Sequence, residues 1–459
     1  MKLPGYPKYK ASGVEWLGTV PDHWEVKRLK GAATYWVSNV DKVAADGEAS
    51  VRLCNYTDVY YHDHIRPNMG LMETTASLDE IRRFGLVVGD VVITKDSEEW
   101  SDIAVPALVV ESSSDLVCGY HLAIVRPSEP RLIGTFLLRL FQACAVNQQF
   151  QVAATGVTRY GLPKSAIGEA LIPLPPSQEQ RAIADFLDRE TAKIDALVAK
   201  KRTLIERLKE KRTALISRTV ARGLPPAAAR AAGLNPKLKP SGIDWLGDVP
   251  EHWSVRRIAT DSTKITNGFV GPTRDILVDD GVPYLQSLHI KGNRIVFARP
   301  YFVEQQWSDA HSKSILRVDD VLIVQTGDIG QVAVVPREFA GANCHALIIV
   351  SPRCDRLSGA FLSQFLNSSY GFDELKRIET GALHPHLNCG LVRDVRFPSP
   401  PLQEQLAIVE FLGRETVQND SLVTKVEAAI ERLLEYRTAL ITAAVTGKID
   451  VRTPAQQRA

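Results

Sequence analysis

Pro175-Pro176-Ser177-Gln178-Glu179-Gln180 opens a stretch free of proline and glycine that runs to about Val220. Near the other end the same text returns as Pro400-Pro401-Leu402-Gln403-Glu404-Gln405, ahead of a second such stretch to about Val445, broken only by Gly413. Gln-Glu-Gln, Ala-Ile, Phe-Leu and Arg-Glu-Thr recur at one offset, as does Arg-Thr-Ala-Leu-Ile at Arg212 to Ile216 and at Arg437 to Ile441. The chain is a duplication, and each copy ends in a long helix.

Each helix carries a seam with alternating steps of four and three. In the first it runs through Ile183, Leu187, Glu190, Ile194, Leu197, Lys201, Leu204, Leu208, Lys211 and Leu215. In the second it runs through Ile408, Leu412, Glu415, Asn419, Leu422, Val426, Ala429, Leu433, Tyr436 and Leu440. A spacing near 3.5 residues is the coiled-coil period. A helix of roughly 45 residues spans about 65 Å and cannot bury such a stripe against itself. The two stripes match in length, so mutual pairing is the expectation.

The 459 residues divide, on this reading, into a globular part over 1–174, a helix over 175–222 and a Pro/Ala/Lys linker over 223–240. A second globular part over 241–399, a helix over 400–447 and a polar tail over 448–459 follow. Apolar content of 45% and charged content of 24% are ordinary for a soluble globular protein. No apolar run approaches membrane-spanning length, no signal peptide opens the chain, and the six cysteines form no Cys-x-x-Cys pair. A cytoplasmic protein is expected. The net charge of +2 requires any basic surface to be local.

A second block also repeats. Ser12-Gly13-Val14-Glu15-Trp16-Leu17-Gly18 with Pro21-Asp22-His23-Trp24 returns as Ser241-Gly242-Ile243-Asp244-Trp245-Leu246-Gly247 with Pro250-Glu251-His252-Trp253. It reads as an extended strap packed by its tryptophans, with the histidines in local hydrogen bonds. Between strap and helix, short apolar runs such as Val87 to Ile93 and Leu122 to Val125 read as strands, and Phe136 to Phe150 reads as one helix. Val318 to Val324, Leu347 to Val350 and a helix from Phe361 repeat that order. Framework positions agree between the halves while the loops differ, as expected of two copies of one reader with different targets.

No phosphate loop, dinucleotide loop, His-Glu-x-x-His or nucleophile elbow is present, nor an Asn/Asp-Pro-Pro-Tyr/Phe box. His62-Asp63-His64 and His384-Pro385-His386 could each hold a metal, but both are more simply polar loops, and no metal is expected. The first helix is rich in cations (Lys200, Lys201, Arg202, Arg207, Lys209, Lys211, Arg212), a flank for solvent, phosphate or a partner. The divergent loops carry donors suited to base edges and phosphates. These are Lys95, Arg159, Tyr160 and Lys164 in the first half, and Gln286, Lys291, Arg294, Gln325, His384 and His386 in the second. Gln pairs with adenine, and Arg or Lys with guanine, in a major groove.

The repeated Pro-Pro-x-Gln-Glu-Gln, Phe-Leu, Arg-Glu-Thr and Arg-Thr-Ala-Leu-Ile, with Ala444 to Arg452, resemble the DNA specificity subunit of bacterial type I restriction-modification systems, over nearly the whole chain. The resemblance implies an α+β fold: two mixed α/β target-recognition domains separated by two long antiparallel coiled-coil helices, in a pseudo-twofold repeat. It implies a non-catalytic chain that reads a bipartite double-stranded DNA site and docks two modification subunits on its helices. Restriction/translocase subunits complete such assemblies, and S-adenosylmethionine, ATP and Mg belong to the partner subunits, with no cofactor on this chain. One departure is the acidic loop Thr94 to Trp100, where the second half has Gln325 to Gly330. Tandem order alone also favours antiparallel helices, and Glu190 is expected near Arg437 and Glu415 near Arg212. Two other functions compete: a non-DNA scaffold of two modules, and the specificity chain of a fused restriction-methylating enzyme.

Overall fold

The two proline-free runs form helices Ser177–Arg222 and Leu402–Val445 in the computed structural model, which describes residues 4–234, 237–381 and 385–452. Each starts where proline can no longer continue: the Pro176 carbonyl accepts from the amides of Glu179 and Gln180 at 2.9 and 3.0 Å, and that of Pro401 from Glu404 and Gln405 at the same distances. Each stops at a left-handed glycine, Gly223 or Gly447, the usual way to end a helix. The chain forms two compact units, Met1–Lys201 with Glu427–Ala459, and Arg202–Val426. Both boundaries fall inside a long helix, so the helices are not segments of their own, as a linear reading has them.

In the first unit a five-stranded sheet runs in the order Ala33–Val37, Leu122–Pro127, Val91–Thr94, Pro106–Val109, His64–Ile65, antiparallel except at its last pair. Alternation along Val91–Thr94 feeds two cores. Val91 and Ile93 join Phe136, Leu137 and the start of the first long helix, while Val92 joins Leu53 and Ile124 under a three-stranded sheet. In the second unit Ser262–Asn267, Leu347–Pro352, Val321–Val324 and Val332–Val334 repeat the order. Val321 and Ile323 likewise face Phe361 and Phe365, and Leu322 and Val324 face Leu285. The residues read as one helix from Phe136 form two, Gly134–Gln142 and Cys144–Ala153, parted at an extended Ala143 that lets Phe141 stack on Phe150 at 5.0 Å. Within the linker, Pro226–Ala231 is helical, with proline at the first position and alanines behind it.

In each unit the start of one long helix packs on the end of the other, so the halves run antiparallel. Ile183, Leu187, Ile194 and Val198 share a core with Leu440, Ile441, Ala444 and Val445, and Ile216 and Val220 share one with Ile408 and Leu412. Leu208, Leu215, Val426 and Leu433 are half-buried. Leu197, Leu204 and Leu422, expected on the seam, are 43, 44 and 48% exposed, whereas Val198 and Ile205 are buried. A strict 3.5-residue seam drifts around a helix of 3.6 residues per turn, and the observed stripe (Leu187, Thr191, Ile194, Val198) uses more steps of four. The arginine pairings shift too. Arg437 Nε meets Asp195 at 2.9 Å and Arg212 Nε meets Asp420 at 3.1 Å, while Glu190 bonds Lys193 on its own helix. Arg212 and Arg437 are repeat equivalents, as are Asp195 and Asp420. The antiparallel register therefore places each arginine about one and a half turns beyond the expected glutamate.

The repeated Gln-Glu pair explains how helix, strap and domain are joined. Glu179, buried in the first helical turn, accepts from His23 Nε2 at 2.8 Å, from Trp24 Nε1 at 3.1 Å and from the Tyr6 hydroxyl. Burial, then the Glu179 carboxylate, pushes the Tyr6 hydroxyl pKa well up, so it stays a donor. Glu404 takes His252 and Trp253 at 2.7 and 3.0 Å. The neighbouring amide of Gln180 donates to the carbonyls of Arg131 and Pro175 and accepts from Ile133. Gln405 does the same with Arg356, Pro400 and Ser358. The strap histidines are thus structural, though each bonds a helix glutamate far away in sequence rather than the local groups expected.

Replacing Glu179 by Ala strands buried donors, and each hydrogen bond to a buried charge carries about 1.5–3 kcal/mol. Glu179→Ala and Glu404→Ala are each expected to lower stability by on the order of 3 kcal/mol in chemical denaturation. Glu410→Ala, at an exposed position, should change it by less than about 0.5 kcal/mol.

Candidate functional site

In both units the same two pieces meet beyond the central strand. The residue after the strand, Lys95 or Gln325, offers its carbonyl to the amide of Leu162 or Leu387, at 2.8 and 2.9 Å. The segment just before that amide is a tight hairpin. Thr155 and Gly161 exchange both backbone hydrogen bonds at 3.0 and 2.8 Å, and Thr380 and His386 do so at the same distances. A buried framework therefore holds a projecting loop whose residues differ between the halves, the division expected of a reader with a variable head.

In the first unit the head is built from three loops. Tyr160–Gly161 pairs with Asp96–Ser97, and His121 ends the loop before Leu122–Pro127. Asp96 Oδ2 accepts from His121 Nδ1 at 3.0 Å and from the Lys95 ammonium, and a terminal nitrogen of Arg159 lies over the same imidazole, 3.0 Å from Nε2 and 3.4 Å from Nδ1. Lys95 is thus turned onto Asp96 rather than offered to a phosphate. Tyr160 is half-buried on the main core and anchors the hairpin, and Lys164 is exposed at the start of the helix Lys164–Glu169. Arg159 is the candidate that projects. Asp96 and His121 were not legible as site residues, because nothing in the spacing of positions 96, 121 and 159 shows that three loops converge.

The second unit brings together Gln325 and His386, with the Gln325 backbone holding Leu387 and Thr380 Oγ1 lying 3.3 Å from His386 Nε2. His384 lies outside the described residues. Lys291 and Arg294 lie in a separate hairpin, Ile290–Lys291 with Arg294–Ile295, whose turn residue Asn293 bridges to Ala333 on the edge strand. Gln286 precedes a short helical turn, its backbone N–H donating to His289 Nδ1 at 2.9 Å, while the far nitrogen of His289 meets the Arg299 carbonyl at 2.8 Å. Asp63, part of a possible metal cluster in the sequence, instead binds Arg437 at 3.2 Å.

A family model described as the type I restriction modification DNA specificity domain matches residues 88–207 and 250–432. The chain belongs to that family. The matched stretches hold both hairpins and most of both long helices. Among type I relatives, the chain is 23% identical over 446 residues to a Methanocaldococcus jannaschii protein named as the MjaX specificity subunit, covering 95% of this chain and 96% of the other. It is also 23% identical over 305 residues to the Escherichia coli EcoBI specificity subunit, covering 66% of this chain and 63% of that one. A chain from a solved structure on complex assembly and conformational transition of the type I R-M system superposes with a TM-score of 0.64, 19% identity and 93% and 98% coverage, a likeness of fold. This type I chain is the specificity subunit of its system, not a catalytic one. Among its described residues no helix is long and apolar enough to cross a membrane.

Two tests follow from the site. Gly156 has φ of +142°, and a Cβ there would lie 1.9 Å from the Arg159 carbonyl oxygen. Gly156→Ala should therefore reshape the hairpin, lowering sequence-specific DNA affinity about tenfold or more in a binding titration with little change in thermal melting. In the second unit, burial lowers the pKa of His289 and of His345. Both are then more readily protonated unfolded, so their stabilisation is present above about pH 6.5 and lost as pH falls. Urea midpoints at pH 7.5 and 5.5 should show a drop, reduced in His289→Gln.

Proposed function

We propose that each unit reads one half of a bipartite double-stranded DNA site, using its hairpin and the loop after the central strand. The observation that carries this is the pair of reading hairpins, held by identical backbone bonds to Lys95 and Gln325 yet carrying different residues. A shared frame with divergent heads suits one site with two unlike halves. Direct readout needs exposed donors that can enter a groove, and Arg159 in the first hairpin and His386 in the second are exposed.

The long helices dock two modification subunits in this reading, and restriction/translocase subunits join the same assembly. Support comes from apolar side chains the helices leave uncovered: Leu197, Leu204, Leu422, Leu434 and Tyr436 are all exposed. A groove of about 920 Å³ beside Trp16, Leu434 and Ala439 adds apolar surface within the first unit. The corresponding place in the second unit holds Tyr370 against Trp245, ring centroids 6.1 Å apart. S-adenosylmethionine for adenine methylation, and ATP with Mg for translocation, reside on the partner chains.

The test is duplex binding by this chain purified with the modification chain of its system, at 50 and 200 mM salt. Phosphate contacts give a log–log slope near −0.9 per contact, so affinity should fall by on the order of a thousandfold. Affinity indifferent to salt would remove the DNA-reading role.

A further inference from the structure

Three side chains in the head of the first unit form a chain of contacts that the framework does not need. Asp96 accepts from His121 Nδ1 at 3.0 Å, and one terminal nitrogen of Arg159 lies 3.0 Å from Nε2 and 3.4 Å from Nδ1 of the same ring. Close to both ring nitrogens at once, it rests over the face of the imidazole, whose orientation the Asp96 carboxylate fixes. Arg159 is thus braced at one nitrogen by the ring and keeps the rest of its fork. Its side chain is exposed, and among the described residues no carboxylate pairs with it. An arginine braced at one nitrogen and open at the others is prepared for an external acceptor.

The surroundings select the kind of acceptor. Asp96 is already met by Lys95, and the next carboxylates along its loop, Glu98 and Glu99, are exposed. Such a group of carboxylates repels a phosphate but tolerates the neutral edge of a base. A guanidinium only donates, so it needs two acceptors side by side. In the major groove guanine offers O6 and N7 together, whereas adenine presents N7 beside a donor. We propose that Arg159 reads a guanine in the half-site of the first unit, aimed by the positioning residues His121 and Asp96. The second unit lacks this device: Gln325 stands in the place of Lys95, and Ala346 precedes its paired strand where His121 precedes Leu122. The inference rests on the hairpin facing DNA, as proposed above.

The experiment expresses the whole chain with its modification chain in a host and sequences the methylated sites. Wild type should yield a bipartite motif with a required guanine in one half. Arg159→Ala should relax that base alone, by roughly ten- to a hundredfold in discrimination, and leave the other half intact. His121→Ala and Asp96→Asn should weaken discrimination at the same base only, which a loss of general structure would not do. In a duplex titration, 7-deazaguanine at that position should weaken wild-type binding and leave Arg159→Ala unaffected. Arg159 is exposed, so unchanged melting of the variant accompanies the expected result. Retention of every motif base by Arg159→Ala, or a loss uniform over all sequences with a salt slope smaller by about one, would overturn the assignment. A wild-type complex that marks no bipartite motif would instead overturn the DNA-reading function, and this inference with it.

Discussion

A carboxylate buried in the first turn of each long helix is the fixed point of this molecule. Glu179 gathers an indole, an imidazole and a phenol from the strap, and Glu404 gathers the equivalent indole and imidazole. Burying a charge is costly unless donors surround it. Placing it where a helix presents unpaired amides and a positive dipole end lowers that cost further. The neighbouring glutamine bonds backbone groups of the domain. Two adjacent side chains thereby join three parts of the chain at one place, and the direction of the helix is set against the sheet that carries the variable hairpin.

The framework was legible because it repeats. Repeated blocks exposed the straps, the helices and the strand order, hydrophobic periodicity gave the pairing of the helices, and tandem order gave its antiparallel sense. The detail of that pairing was less legible. Whether Leu197 or Val198 faces inward depends on a tenth of a residue per turn, which accumulates along a long helix. The partner of Arg437 turned on the same small shift, and Asp195 took the place foreseen for Glu190. The helix expected from Phe136 broke at Ala143, a residue with no helix-breaking chemistry, because packing of Phe141 on Phe150 outweighs local propensity.

The reading heads were harder to see. Arg159 could be named from its loop, yet the residues that hold it sit far away in sequence, on two other loops. Lys95 looks like a phosphate ligand in sequence, and only the fold shows its charge already met by Asp96. In the second unit the candidates divided between two hairpins, since donor chemistry alone cannot say which loops share a surface. A rigid sheet with interchangeable tips gives such a reader freedom to change its target: the tips carry none of the core, so substitutions there leave the buried strands undisturbed.

Division of each helix between two compact units also orders events during synthesis. Arg202–Val426 is one unbroken stretch of chain, so its core can close once that stretch has left the ribosome. The other unit is in two pieces and needs Leu440, Ile441, Ala444 and Val445 to cover Ile183 and Leu187. The earliest-made domain must therefore keep an apolar flank open until the last helix arrives.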